Sequence, residues 1–190
     1  SFDNESDYID ELDGLIKNSI RNRLVSDVPI GAFLSGGLDS SLVASYMQNE
    51  CSNLNTFSIG FEDASFDESY YSRLVADHLG TNHHIELFSA DSMLEILPSI
   101  WESMDEPFAD ASLLPTYLLS GFTKNEVTVS LSGDGGDEIF GGYPTYFAHK
   151  IAKWIPTWSA SSMQYFANLL PVNYNNISFD FKVKQFCKGL

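Results

Sequence analysis

The stretch VPIGAFLSGGLDSSLVASYM, residues 28–47, decides the fold. It opens with the apolar run 28–34, which admits a proline, Pro29, only near its start, as a buried strand does. The glycine loop 35–41 follows, and the apolar residues after the loop recur at helical spacing. A strand, a glycine loop and a helix in this order indicate the beginning of an α/β sheet with a ligand loop at the carboxyl end of its first strand.

The same alternation continues along the chain and predicts a parallel sheet. We predict further strands at 55–61, 83–88 and 127–131, and helices at 6–25, 67–79, 91–104, 110–123 and 161–170, with a short helix after Pro171. Strands separated by helices of this length favour right-handed crossovers and a sheet that is covered on both faces. The predicted fold class is therefore α/β, a doubly wound parallel sheet with helices on both faces.

Two helices carry more specific expectations. Pro98 is expected to break the helix at 91–104, because proline removes a helical hydrogen bond. The helix at 67–79 is expected to end at Gly80. One face of this helix is expected to present Tyr71, Leu74, Val75 and His78.

Composition and charge exclude several classes of protein. The chain has 190 residues, of which 44% are hydrophobic, which is enough for a core. No apolar run approaches the ~20 residues that a membrane span requires. Because 26 acidic residues face only 10 Lys and Arg, the net charge of −16 repels nucleic-acid phosphates and anionic lipids, so a nucleic-acid binder is excluded.

The cysteines, the composition and the ends of the chain give expectations about its organisation. Cys51 and Cys187 lie far apart without metal-ligand spacing, so a reduced, cytoplasmic chain is expected, with one disulfide as the alternative. We expect a domain core at 1–150 and, at 151–190, the start of a helical part of the same domain. Since the chain begins without Met, we also expect it to be a piece of a longer protein.

The glycine loop has the chemistry of a phosphate site. Gly36 and Gly37 let backbone amides turn inward, Ser35 and Ser40 offer hydroxyl groups, and the following helix begins near Ser40 with its positive dipole end. Asp39 would repel polyphosphate unless a divalent cation lies between them, so it argues for Mg²⁺. The alternative is a tight strand-to-helix turn without a ligand.

The phosphate loop of kinases and GTPases is excluded. That loop has the pattern GxxxxGK[ST], with a lysine for the β- and γ-phosphates. The segment 24–123, which contains the glycine loop, has no lysine and a single arginine, Arg73.

A second loop, SGDGGDEIFGGY at 132–143, follows the last predicted strand. Its glycines permit a close approach of the backbone to a ligand, and its acids, Asp134, Asp137 and Glu138, can hold a metal or move protons. An acidic turn without function is the alternative.

The loop SGGLDSS resembles the pyrophosphate loop of the N-type ATP pyrophosphatases. Both loops together resemble the synthetase domain of the glutamine-dependent asparagine synthetases. Supporting similarity runs through the segments RLVSDVPIGAFLSGGLDSSLVA, TFSIGFED, FDESYYSRLVADHLGTNHHIEL and MDEPFADASLLPTYLLS.

The resemblance implies an ATP-dependent ligase. ATP, with Mg²⁺, would activate aspartate as β-aspartyl-AMP with release of pyrophosphate, and ammonia would then displace AMP. The family draws ammonia from glutamine through a glutaminase domain, expected ahead of residue 1. It takes a cation for pyrophosphate from a segment beyond Leu190, so the fragment alone is expected to be inactive. A homodimer is compatible with the resemblance.

The resemblance also implies functional residues. The positions that match ATP contacts are Leu34, Ser35, Gly36, Gly37, Asp39, Ser40, Ser41, Ile59, Ser132 and Gly133. Asp39 and Asp137 would share Mg²⁺, and Asp134 would be the catalytic acid. Many relatives have Glu at position 134, and the shorter Asp leaves an alternative open: an amidotransferase or cyclase that acts on another carboxylate, such as a sugar acid or a β-lactam precursor.

Overall fold

A computed structural model of the protein describes residues 4–106, 110, 112–172 and 178–189. The chain divides into two compact units, 1–134 and 135–190. The sequence-based division at residue 150 stays a prediction.

The first unit alternates helices and strands, and the second is helical. The elements of the first unit are α1 (Glu5–Leu24), β1 (Ile30–Phe33), α2 (Leu38–Glu50), β2 (Asn55–Phe61), α3 (Ser69–Leu79), β3 (Asn82–Phe88), α4 (Ala90–Glu102), α5 (Leu113–Thr123) and β4 (Val129–Leu131). The second unit contains α6 (Gly136–Phe140), α7 (Pro144–Ala152), a 3₁₀-helix (Thr157–Ser159), α8 (Ala160–Asn168) and α9 (Phe179–Lys188). Every helix and strand predicted from the sequence is present, with its ends moved by a few residues. Within the described ranges, no helix combines the length and the apolarity that crossing a membrane would need.

The sheet is parallel throughout, with the strand order β3-β2-β1-β4. Two neighbouring residues of β2 show that helices cover both of its faces. The ring of Phe57 meets that of Phe122 in α5 edge to face at 5.9 Å, while Ser58 hydrogen-bonds Ser72 of α3 at 3.0 Å. Since successive strand residues point to opposite faces, α5 and α3 lie on opposite sides. The predicted doubly wound α/β fold is confirmed.

The main core of the first unit joins β1 to α1, α2 and α3. Its buried members are Ile20, Ala32, Leu34, Ala44, Met47, Leu54 and Ala76. The three alanines let the helices approach the sheet closely, because a methyl group adds little thickness to the interface. This core holds the carboxyl end of β1 and the start of α2 in a fixed relation.

One expectation about the helices is wrong. Pro98 does not break α4, which runs through it as one helix. The carbonyl left without a partner belongs to Leu94, an exposed residue, so water can replace the missing bond. In α3, the residues that become buried are Ser72 and Ala76, while Tyr71 and Leu74, read from the sequence as members of one face, are more than half exposed.

Candidate functional site

The strand order places a switch point at β1. From β1 the chain steps to β2 and then to β3 in one direction, whereas β4 joins the sheet on the other side of β1. In open α/β sheets, ligands bind outside the carboxyl ends of the strands where this reversal occurs. The glycine loop follows β1 and the second loop follows β4. Both loops predicted from the sequence therefore emerge at the switch point.

Gly133 brings the two loops into contact. A Cβ atom at this position would lie 2.6 Å from the backbone nitrogen of Ser40 and 2.9 Å from the Cβ of Asp39. Such distances are sterically forbidden, so only glycine lets the loop after β4 lie against the first turn of α2. The structure thus joins residues that are far apart in the sequence.

The serines of the glycine loop bond to the loop itself. The Ser40 hydroxyl donates to the carbonyl of Gly37 at 3.2 Å and accepts from the Ser35 amide at 3.2 Å. Because the Ser40 hydroxyl has already donated its one hydrogen, it accepts from the Ser35 hydroxyl at 2.9 Å. The Ser35 hydroxyl in turn accepts from the Gly37 amide at 3.2 Å. In this arrangement both hydroxyl groups shape the loop.

Helix α3 supports the glycine loop from the other side, which sequence reasoning missed. Gly36 has a φ of +84°, and a Cβ there would lie 2.6 Å from the Ser72 amide nitrogen and from the Tyr71 carbonyl carbon. The signal that could have found this contact is the small residues Ser69, Ser72 and Ala76, spaced three and four apart.

The start of α2 offers groups that can bind an anion and, beside it, a cation. Gly37 precedes the helix, and no side chain among the described residues caps it, so the amide groups of the first turn and the positive end of the dipole remain available. Within the described part of the first unit, no hydrogen bond or ion pair engages the Asp39 carboxylate. Ser41 Oγ is buried and likewise finds no hydrogen-bond partner among the described residues.

The other predicted residues of the first unit line the same sheet edge or lead to it. Leu34 is buried at the end of β1, and its amide donates to the carbonyl of Phe57 at 2.9 Å. Ile59 lies in β2, near the end of the strand. After β4, the Ser132 hydroxyl donates to a carboxylate oxygen of the exposed Asp134 at 2.8 Å.

In the second unit, Asp137 lies in the first turn of α6, packed against Gly142. Next to it, the Tyr143 hydroxyl donates to Glu138 Oε1 at 2.5 Å. This hydrogen bond raises the pKa of Tyr143 to about 12 and lowers the pKa of Glu138. Glu138 is therefore an ionised carboxylate that already has a partner. Across the described parts of both units, no group of three or more His, Cys, Asp or Glu side chains is arranged to hold a metal.

A cavity of about 570 Å³ lies beyond the carboxyl ends of β2 and β3. Its lining includes Phe61, Phe66 and Phe88, and its charged lining residues are Glu62 and Asp63. The aromatic walls suit an apolar group, and the two carboxylates disfavour a phosphate. Phosphate chemistry is therefore expected at the glycine loop.

The family model and the curated relatives that the chain matches point to the same family. The family model for asparagine synthase matches residues 11–185. The chain is 44% identical to the putative asparagine synthetase [glutamine-hydrolyzing] 2 of Methanocaldococcus jannaschii over 77% of the chain and 30% of that protein. It is 39% identical to asparagine synthetase [glutamine-hydrolyzing] 1 of Bacillus subtilis over 75% of the chain and 22% of that protein.

The chain therefore spans less than a third of the length of these curated relatives. Among solved structures, it is similar to the NH3-dependent NAD synthetase from Campylobacter jejuni. The TM-score is 0.49 and the identity 15%, over 70% of this chain and 60% of the other.

Proposed function

The chain belongs to the asparagine synthase family, and we propose that the protein containing it uses ATP to convert aspartate and ammonia into asparagine. The observation that supports this most directly is the contact of Gly133 with Asp39 and Ser40 at the switch point. It joins a loop suited to phosphates with a loop that carries an exposed acid, Asp134. An activating step and a proton transfer can then occur in one place.

The glycine loop and the first turn of α2 are proposed to bind the phosphates of ATP. The available amide groups, the dipole of the 13-residue helix and the unpartnered Ser41 hydroxyl support this assignment. Leu34, Ile59, Ser132 and Gly133 are proposed to contact the rest of the nucleotide. The backbone at these positions would make most of the contacts with the nucleotide.

Asp39 and Asp137 are proposed to hold Mg²⁺. Carboxylate oxygens are the ligands that this ion prefers, and the Asp39 carboxylate has no competing partner in the described part of its unit. When bound, the ion would offset the charge that develops on the departing pyrophosphate. Asp39 would otherwise repel the phosphates beside it.

The chemistry proposed is two successive substitutions. A side-chain carboxylate oxygen of aspartate attacks the α-phosphorus of ATP, the bond to the bridging α–β oxygen breaks, and pyrophosphate leaves. Ammonia then attacks the acyl carbon, loses a proton, and AMP leaves with its bonding electrons. Asp134 is exposed and held by the Ser132 hydroxyl, so it is proposed to accept the proton. A glutaminase domain of the same protein is proposed to supply the ammonia.

The test is exchange of labelled pyrophosphate into ATP by the full-length protein. We expect the exchange to depend on aspartate, and AMP to be the nucleotide product when ammonia is added. Asp39→Ala and Asp137→Ala should each abolish exchange, whereas Asp10→Ala, which removes an exposed carboxylate of α1, should not. Release of ADP and orthophosphate would contradict the proposed bond cleavage, and wild-type exchange in either metal variant would contradict the ligand assignment.

One observation, the shorter acid at position 134, favours a second function in which a carboxylate other than aspartate is the substrate. If aspartate does not stimulate exchange but a sugar acid or a β-lactam precursor does, the activating step is retained and the acceptor changes. A screen of carboxylates in the same exchange assay separates the two functions.

A further inference from the structure

His83 of β3 is a half-buried titratable residue that the proposed chemistry does not use. Both of its ring nitrogens bond to hydroxyl groups of β2. Nδ1 lies 2.9 Å from Thr56 Oγ1, and Nε2 lies 3.2 Å from Ser58 Oγ. Thr56 and Ser58 are buried, so these bonds are shielded from water. His84, the next residue, faces the other side of the sheet and stacks on Phe57.

The hydrogens of this network can be placed from the acceptor at its end. The Ser72 hydroxyl donates to the carbonyl of Ser69 at 3.0 Å, and a carbonyl can only accept. Ser72 Oγ therefore accepts from the Ser58 hydroxyl at 3.0 Å, and Ser58 accepts from Nε2–H of His83. The bonds thus select the imidazole that carries hydrogen on Nε2.

The other side of the ring is then an acceptor. In the neutral ring, Nδ1 has no hydrogen, so Thr56 donates to it, and Thr81 donates to Thr56 at 2.8 Å. Adding a proton to Nδ1 would turn both of these bonds around and place a charge in a half-buried position. The network therefore fits the neutral form of His83.

Ser72 connects this network to the glycine loop. Its side chain ends the hydrogen-bond chain from His83, and its backbone nitrogen is one of the atoms that Gly36 packs against. Ser72 is fully buried, and its position is set by the bonds to Ser58 and to Ser69. A shift of Ser72 would be transmitted directly to the turn at Gly36, because the two backbones are in contact.

We propose that His83 is a positioning residue for nucleotide binding: through Ser58 and Ser72 it holds α3 against the glycine loop at Gly36. The inference rests on the proposed function, since it assumes that this loop binds ATP. His83 touches neither the nucleotide nor the reacting atoms in this role. Its effect is on the shape of the loop, and therefore on the affinity for ATP more than on the rate of the chemical step.

The role gives nucleotide binding a pH dependence. Burial lowers the pKa of His83 below its usual value, a hydrogen bond with the Thr56 backbone opposes this effect, and His84 and Arg73 lower the pKa further while Asp77 raises it. His84 lies in β3, Arg73 and Asp77 lie in α3, and β2 offers the ring the hydroxyl groups of Thr56 and Ser58 and the backbone of Thr56. As pH falls through this pKa, the ring takes up a proton on Nδ1, and the charge in this half-buried position favours a movement of the ring toward water and away from Ser58. Ser72 then loses the support of Ser58, so the affinity for ATP should fall.

The experiment measures KM for ATP, kcat and the ATP dissociation constant of the full-length protein between pH 5.5 and 8. His83→Leu should raise KM and the dissociation constant about fivefold to tenfold at pH 8, the effect of one or two lost hydrogen bonds, with a smaller change in kcat. His83→Gln, whose amide can still donate to Ser58, should restore most of the affinity but lack the weakening at low pH. His84→Gln is the matched control and should keep the wild-type affinity at pH 8, while its low-pH weakening should begin at a slightly higher pH, because His84 no longer lowers the pKa of His83.

The outcomes separate this inference from the proposed function. If the wild-type protein binds no ATP, the proposed function fails. If it binds ATP but the His83 variants show wild-type affinity and pH profile per folded molecule, only the inference is overturned. A His83→Leu protein that fails to fold leaves His83→Gln decisive, because an unchanged low-pH weakening in that variant contradicts the proposal.

Discussion

Gly36 combines two constraints that only glycine meets. Its φ of +84° lies in the left-handed region, and the space where a Cβ would go is filled by backbone atoms of α3. Gly80, which ends α3, has a similar φ of +69° but no atom within 4 Å of the Cβ position. Comparing substitutions at the two residues therefore separates the cost of backbone strain from the cost of steric exclusion.

We predict that Gly36→Ala lowers the free energy of unfolding by about 3 kcal/mol or more, since it adds an overpacked contact to the strain. Gly80→Ala should cost about 1–2 kcal/mol, the strain alone. Urea unfolding of both variants measures the difference. Equal losses would mean that α3 yields to the added methyl group and does not constrain the loop.

At the scale of single residues, the sequence identified the glycines but not all that surrounds them. The requirement for glycine at 36 and 133 follows from the loop chemistry, and the structure explains both by close backbone contacts. The neighbours that create those contacts, Tyr71 and Ser72, lie in another helix. No local pattern links position 36 to position 72, because their contact depends on how α3 crosses the sheet.

At the scale of elements, periodicity predicted which segments are helices and strands, but not which face of α3 is buried. In α3 the large residues Tyr71 and Leu74 suggested one face, yet the helix approaches the sheet through Ser72 and Ala76. Hydrophobic periodicity assumes that large apolar residues face the core. It fails where close approach selects small residues.

Helix α4 offers a test of the proline within it. Pro98 is exposed, so its ring contributes little packing, while its missing amide leaves the carbonyl of Leu94 without a helical partner. We predict that Pro98→Ala raises the free energy of unfolding by about 1–3 kcal/mol, within the helical cost of proline. Thermal and urea unfolding measure the gain.

The matched control is Gly121→Ala in α5, where a Cβ would meet nothing within 4 Å. This change should add about 1 kcal/mol, the ordinary propensity difference between glycine and alanine in a helix. A neutral or destabilising Pro98→Ala, with the expected gain at Gly121, would show that α4 depends on the fixed backbone angle of the proline.

At the scale of the whole molecule, the meeting of the two loops depends on strand order. The chain pattern predicts a parallel sheet, but not that β4 joins β1 rather than extending the sheet from β3. That choice is made by the packing of helices on both faces, which involves residues from the entire first unit. The resemblance to a family predicts that the two loops act together, and the order β3-β2-β1-β4 explains why they meet.

The net charge of −16 makes two kinds of salt dependence distinguishable. Sodium chloride weakens the repulsion among acidic groups, since the screening length falls from about 30 Å at 0.01 M to about 10 Å at 0.1 M. We therefore expect the melting temperature to rise with NaCl. Magnesium chloride at equal ionic strength should raise it further in the presence of α,β-methylene-ATP, because binding to the folded state adds stability by mass action.

Asp39→Asn should remove the additional rise due to Mg²⁺ and retain the rise due to NaCl, because it deletes one proposed ligand and changes the net charge by only one. Asp10→Asn makes the same change in charge on α1 and should retain both effects. Differential scanning calorimetry on the three proteins measures them. If the Mg²⁺ effect persists in Asp39→Asn, the ion binds elsewhere on the acidic surface, and the reason given for an aspartate beside the phosphates would be lost.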